Sequence, residues 1–455
     1  MTTYLTRTPA STTDAQRKTW TYSVWVKPSN ILSSGNGGEF AYIYQYSGGS
    51  SAYVRMDSNY KLRFRDYTNG GSPDSLLSTD ALFRDPSAWY HIVLRHDTTQ
   101  ATAADRVRLY VNGTQISFAQ NDYPAQDALG FINSTFPAQI GESSSNVLRG
   151  SYLSQAIMCA GQSYAPTAFG STNANGVWVP NTSPSVTYGT NGFKLDFAGT
   201  GATADASGFG ADTSGNNNHF ATTNIATNPN IKDTPQNIFA TLNSLANSSY
   251  TTLSIGNLKT TGNNAGNNGN TESTIAVANG KWYWEHKMTT SASPYYPTTG
   301  IVKPETVGRL LNGGGNAMVG VVTDSVSYEF NGNRRISNTS TNNHFASLSN
   351  GDIVGIALDM DNGAVYFSKN GTFQNSSDPT SGSNKTNAAH TWTADGRLYM
   401  AATASYNSSV AEINFGNPAY TITSGNADAN GYGNFEYAVP SGFYALCTKN
   451  LAQYG

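Results

Sequence analysis

The sequence predicts an all-β protein, two antiparallel jelly-roll-type β-sandwiches in tandem, and three observations predict it. Apolar and polar residues alternate with period two along much of the chain, while the 3.6-residue periodicity of amphipathic helices is almost absent. The composition, with 45 Gly and 27 Tyr and much Asn, Ser and Thr, suits short strands joined by tight turns. Gly and Asn reach positive φ cheaply, and Thr and aromatics fill pleated surfaces. A length of 455 residues accommodates two or three domains, each with a full core.

Taken in order, the strand expectations in the first half are Thr19–Val26, Tyr90–His96, Arg106–Val111 and Phe193–Phe197. In the second half they are Gly280–Lys287, Met318–Thr323, Asp352–Asp359, Ala364–Lys369, Leu398–Ser405 and Ala411–Phe415. Asn112-Gly113 and Asn362-Gly363 are the strongest hairpin turns, because both central residues of a type I′ turn need positive φ; Asn370-Gly371 has the same chemistry. A Pro-containing polar stretch, TNPNIKDTPQN, breaks the strand pattern between the halves. It divides the chain into a first sandwich over residues 1–228, a linker over 229–249 and a second sandwich over 250–455. The low-complexity run TTGNNAGNNGN, Thr260–Asn270, reads as an exposed loop.

Only 12% of residues are charged and the net charge is -3, which argues against an electrostatically bound nucleic acid or membrane surface. No run approaches the ~20 apolar residues of a membrane span, and the N-terminal stretch lacks the apolar core of a secretory signal. Cys159 and Cys447 are too few and too far apart for a disulfide framework and read as buried free thiols.

Three motifs in order then carry a resemblance: WTYSVWVKPS (Trp20–Ser29), AWYHIVLRHD (Ala88–Asp97) and DRVRLYVNGTQI (Asp105–Ile116). Together with IGESSS and LRGSYLSQAI they resemble the laminin-G-like, concanavalin A-type lectin fold. A pattern that opens many relatives appears late here, as GFKLDFAGTGATADASGFGADTSGNNNHF (Gly192–Phe220), which implies a circularly permuted order with this segment returning beside the N-terminal strands. The run from Gly176 to Leu245, with GVWVPNTSPSVTYGTNGFKLDFAG, DTSGNNNHFATTNI and DTPQNIFATLNSL, resembles structural proteins of marine tailed phages. After it, GKWYWEHKM, MVGVVT and above all GDIVGIALDMDNGAVYFSKNG (Gly351–Gly371) resemble a SPRY domain over Tyr250–Leu451, with an insertion at Thr289–Gly315.

SPRY domains are chiefly binding modules with loop-borne specificity, and that analogy directs attention to Tyr295 and Tyr296 in the insertion. Either tyrosine offers an apolar face with a polar tip to a sugar ring or peptide group, or seals its loop against the sandwich. Arg334 and Arg335 in FNGNRRIS offer bidentate pairing to an acidic group, or are simply solvated on a hairpin. Asp212 and Asn216 are the calcium candidates, since laminin-G-like loops sometimes hold that ion; turn capping explains them equally well. No other cofactor is expected. The six histidines show no metal-ligand spacing.

A glycosidase needs two placed carboxylates. The nearest pair, Asp359 and Asp361, falls in the SPRY-like hairpin with Asp361 capping its turn, and Glu285 and His286 alternate faces. The expectation is therefore a non-enzymatic virion surface protein, a tail fibre or receptor-binding component. Its partners are a host-surface glycan or envelope protein and other virion proteins, as a homo-oligomer for which the trimer of phage fibres is the model. The alternatives are a head fibre or decoration protein, favoured by the lack of a fibre stalk before the first strands, and a polysaccharide depolymerase.

Overall fold

A computed structural model describes residues 4–28, 43–45, 51–57, 59–67, 73–143, 146–147, 151–225, 230–263, 267–289, 297–304 and 318–455. The chain divides into two compact units, Met1–Asn230 and Ile231–Gly455, each built from antiparallel sheets.

In the first unit the strand Thr19–Lys27 sets the pattern. Trp20, Tyr22, Val24 and Val26 point into the core with Ile92 and Leu94 of the paired strand Tyr90–Asp97, while Thr21, Ser23 and Trp25 point the other way. These strands lie in a six-stranded sheet ordered Phe193–Leu195, Tyr152–Ala160, Thr19–Lys27, Tyr90–Asp97, Val107–Val111, Thr114–Ile116. Its partner is an eight-stranded sheet ordered Phe118–Asp122, Pro73–Thr79, Leu62–Tyr67, Ser51–Met56, Ile43–Gln45, Ala138–Ile140, Tyr4–Arg7, Ala221–Thr223. The late segment does return to the start of the chain: Ala221–Thr223 pairs with Tyr4–Arg7, and Phe193–Leu195 pairs with Tyr152–Ala160.

In the second unit the same alternation splits the strand Lys281–Thr289. Trp282, Trp284 and Met288 enter the main core, and Tyr283 enters a second cluster on the opposite face with Tyr366, Phe435 and Phe443. One sheet runs Leu242–Asn247, Gly269–Val277, Tyr399–Ser405, Thr298–Val302, Val326–Glu329, Arg334–Ile336, Thr339–Thr341. The other runs Thr251–Ser254, Lys259–Gly262, Val410–Asn414, Lys281–Thr289, Ile353–Asp359, Ala364–Lys369, Thr372–Phe373.

Four expectations are corrected. Residues 231–249 are not a linker: Phe239, Ala240 and Leu242 are buried in the second unit, and Leu242–Asn247 is an edge strand of its sheet. Both ends of the Thr260–Asn270 tract are strand rather than loop, with the Thr260 hydroxyl buried 2.6 Å from that of Ser405. Met318–Thr323 is a turn, with Gly320 at φ 89° and Val321 N–H bonded to Met318 O; Thr298–Val302 occupies the sheet position instead. At Asn362-Gly363 only Gly363 has positive φ. Asp359, not Asp361, caps this turn by accepting from Asn362 N (2.9 Å) and Nδ2 (2.8 Å), and the loop between paired Asp359 and Ala364 grows to four residues. Asn112-Gly113 and Asn370-Gly371 have positive φ at both positions, as type I′ turns require.

Candidate ligand-binding surfaces

On the outer face of the first unit's six-stranded sheet, Ser23, Trp25 and His91 sit under Trp178, from the strand Trp178–Pro180. Trp25 stacks on His91 with centroids 4.6 Å apart, and Trp178 fits against Gly113 and Gly170, where a Cβ would come within 2.6–2.8 Å of its ring. The Ser23 Oγ–His91 Nε2 distance of 2.8 Å is that of a nucleophile and its base. The wiring is the reverse. An indole nitrogen only donates, so the Trp178 Nε1–H bond to His91 Nδ1 (2.9 Å) leaves the ring proton on Nε2, where it donates to Ser23. Burial pushes His91 down to about 3, so the ring stays neutral. Ser23 therefore faces a donor, and the cluster is a polar clamp holding residues 161–190 on the sheet, beside apolar contacts of Phe169, Val186 and Tyr188.

The calcium candidates are committed elsewhere. Asp212 Oδ1 accepts from Lys194 N and Ser214 N, and Oδ2 from Ser214 Oγ and Asn218 N, all within 2.8–2.9 Å. Asn216 turns its Nδ2 to the carbonyls of Gly189 and Gly192. A carboxylate with four donors on it is a turn scaffold, and no lone pair is left for a cation. Among the described residues no group of three or more His, Cys, Asp or Glu converges on a metal position.

In the second unit Tyr295 and Tyr296 lie outside the described residues. Arg334 and Arg335 are described and are neither together nor simply solvated. Arg335 leaves the sheet on one face to pair with Glu329 (Nε–Oε1 2.6 Å). Arg334, one position earlier, points to the other face and donates to Ala389 O (2.9 Å) and Thr341 Oγ1 (3.3 Å). Beside it stand His344, His390 and Trp392; burial and the Arg334 guanidinium hold both imidazoles below their ordinary range.

The carboxylates are structural as well. Asp359 pairs with Lys281 (3.1 Å), and Asp361 accepts from Gly280 N (2.7 Å). Glu285 is wholly buried, accepting from Tyr437 N, Glu436 N, Asn414 Nδ2, Tyr420 OH and Tyr283 OH at 2.8–3.2 Å. It ties the C-terminal segment down over the sheet. Burial raises its carboxyl above the ordinary range against the opposing pull of these donors. Glu285 and His286 do fall on opposite faces, His286 against Thr299 and Phe415. His91 and His96 likewise separate, His96 stacking on Trp20 in the core (4.7 Å).

One charged surface was not singled out from the sequence. Arg55, Arg63 and Arg65 share the outer face of the eight-stranded sheet, alternating with the core residues Val54, Met56, Leu62 and Phe64. Tyr53 lies among them, the Arg55 guanidinium 4.3 Å and that of Arg65 6.0 Å from its ring centroid. The R-x-R spacing in LRFRDY was the available signal, since a period of two puts both side chains on one face.

Comparison with known families agrees with this architecture. Residues 2–155 match the concanavalin A-like lectin/glucanases superfamily, and residues 281–418 match the SPRY domain. A concanavalin A-like domain is followed by a SPRY domain. The SPRY domain of human HERC1 is 16% identical, covering 38% of this chain and 96% of its own, with a TM-score of 0.30. A human SPRY domain is 17% identical, with 36% and 94% covered and a TM-score of 0.27. The stonustoxin structure is 17% identical, with 38% and 27% covered and a TM-score of 0.28. No curated protein matches the chain. Both matched domains are of binding type, and among the described residues no helix is long and apolar enough to cross a membrane.

Proposed function

We propose that this chain is a non-enzymatic surface protein of a tailed bacteriophage particle, a tail-fibre or receptor-binding component that engages a host-surface glycan or envelope protein. The observation that carries the reading is a binding-type lectin-like sandwich joined to a SPRY sandwich through a phage-like run, Gly176–Leu245. That run supplies Trp178 to the clamp on His91, Asp212 to the turn scaffold and Phe239 to the second core. The described carboxylates nearest to a catalytic arrangement are all bound into turns and ties, which favours binding over polysaccharide cleavage. The chain is proposed to act as a homo-oligomer among other virion proteins.

The test is to locate the protein on purified particles by antibody labelling, and to measure whether the purified chain slows adsorption to susceptible cells. Label on the tail together with slowed adsorption supports the reading. Label on the capsid with adsorption unchanged replaces it with a decoration role, and release of reducing sugars from host polysaccharide replaces it with a depolymerase.

A further inference from the structure

We infer that the margin of the second sandwich around Arg334, His344 and His390 is a binding site for a carboxylate of an acidic peptide segment. The inference rests on the proposed reading of the chain as a protein that contacts an envelope or virion protein, and it names the chemistry of that partner and the place where it docks.

Among the described residues Arg334 is a cation without a counterion. It stands opposite Tyr328 of the main core on one side and Thr341 on the other, so its side chain lies on the core-facing side of its sheet, near the margin. From there it reaches Ala389 O, in the segment whose next residues, His390–Thr391, pair with Ala364–Lys369 of the other sheet. Two of its five N–H groups donate to Ala389 O and Thr341 Oγ1, both neutral acceptors, and its buried Nε–H has no acceptor. Burial lowers its pKa, and no acidic group offsets that. The imidazoles beside it, His344 and His390, have no hydrogen-bond partner on either ring nitrogen among the described residues. The acid that acts on His390, Asp324, is paired with Lys303 (2.5 Å), and Arg397, which also acts on it, is paired with Asp395. Three groups able to carry positive charge meet here with no free negative one among them. A carboxylate supplies that charge and accepts from the guanidinium fork.

The neighbouring strand edge favours a peptide as the carrier of that carboxylate. Thr339–Thr341 ends its sheet. Ser337 and Asn338 both have positive φ, so the turn before it is a two-residue hairpin closed by the Ile336–Thr339 pair. The alternation of an antiparallel ladder then directs the N–H and C=O of Ser340 to the unpaired edge. A peptide strand bonded to Ser340 sets its neighbouring side chain opposite Thr341, on the face that Arg334 shares. A sugar ring finds no stacking platform, since Trp392 beside His390, and Tyr399 against Trp392, are buried. Protons accompany the anion. Burial and Arg334 hold both imidazoles below their ordinary range, so both are neutral at pH 7. A bound carboxylate offsets Arg334 and raises them, so binding takes up protons and strengthens as pH falls.

The experiment is fluorescence anisotropy of a labelled Asp-Thr repeat peptide with the full chain at pH 7.5 and pH 5.5. An Asn-Thr repeat is the neutral control and alginate the acidic-sugar control. Binding of the Asp peptide alone is expected, weaker as salt rises and about tenfold tighter at the lower pH. Arg334→Gln is expected to weaken it about tenfold at both pH values. His390→Gln is expected to shrink the pH gain to about threefold, a change that a merely structural role would not produce. Arg108→Gln, which removes an arginine paired with Asp105 in the first unit, controls for net charge and is expected to change nothing. Should Arg334→Gln fail to fold, Arg334→Lys, which keeps the charge but not the fork, and His390→Gln carry the test. Equal binding of the Asn peptide, no binding of the Asp peptide, or variants indistinguishable from the parent chain overturns the site. Alginate bound through Arg334 in place of the peptide overturns the peptide as its ligand. Absence of the protein from particles would sink the virion reading yet leave peptide binding intact, and lost peptide binding would leave the particle location intact.

Discussion

Glu272 carries the sharpest prediction. It lies on the strand Gly269–Val277, opposite Ala402, fully buried, and neither carboxylate oxygen has a hydrogen-bond partner. A charge there without a partner is disfavoured, so burial raises its carboxyl to about 8 from an ordinary 4.5. Below pH 4.5 both folded and unfolded chains hold the proton. Between that value and about 8 only the folded chain does, so its stability falls as pH rises. The slope is about 1.4 kcal/mol per pH unit, which amounts to roughly 4 kcal/mol lost by pH 7.5. Glu272→Gln removes the titration at nearly constant volume. Urea unfolding of parent and variant, followed by tryptophan fluorescence at several pH values from 4.5 to 8.5, isolates the effect as the difference between the two. The variant is expected to be the more stable at pH 7.5, with the gain shrinking toward zero at the acid end. A difference that stays flat across the window, or a variant less stable at pH 7.5, refutes the assignment of Glu272 as a buried, neutral, unpartnered acid.

Three further outcomes follow from the same structure. Gly113→Ala adds a Cβ at φ 80° and within 2.6 Å of the Trp178 ring, and should cost about 2 kcal/mol or more, read as a lowered thermal midpoint. Glu285→Gln turns one acceptor into a donor facing donors, and should cost roughly 2–4 kcal/mol; hydrogen exchange at Glu436 and Tyr437 should quicken more than at the Asp212 turn. Asp212→Ala should lower the thermal midpoint through loss of its four bonds, whereas millimolar calcium should leave the midpoint of the parent chain unchanged; a calcium-dependent rise would show that the carboxylate binds the ion after all.

The sequence made local features legible and hid those set by distant partners. The inward tryptophans of Thr19–Lys27 and Lys281–Thr289 follow from alternation alone, because a strand's side-chain period is fixed. Asn112-Gly113 and Asn370-Gly371 were readable for the same reason, as their turn type depends on two residues. Asn362-Gly363 was not, because a carboxylate three residues upstream, Asp359, competes for the Asn362 amide. MVGVVT has the composition of a strand, yet Thr298–Val302 pairs in its place, and composition does not say which of two apolar runs wins a sheet position.

The same division governs the candidate sites. Of the two readings the sequence left open for Asp212, calcium ligand or turn cap, the structure shows the donors of a cap: they arrive from Lys194, Ser214 and Asn218, and their convergence is a property of the folded loop. Arg334 and Arg335 are not brought together on one group, for a nearer reason: adjacent strand residues face opposite ways, and each finds its own partner, Ala389 or Glu329. The arginines that do share a face, Arg55, Arg63 and Arg65, come together through one register. The Asp57 turn fixes Met56 opposite Leu62, and that places Arg55 opposite Arg63. A slip of one residue would send Arg63 and Arg65 into the core and Phe64 to the surface, so the packing that buries Phe64 also assembles the cationic face. Core and surface are specified by a single choice of register, which sets the Arg55–Arg63 and Tyr53–Arg65 pairs on one face as it buries Phe64 on the other.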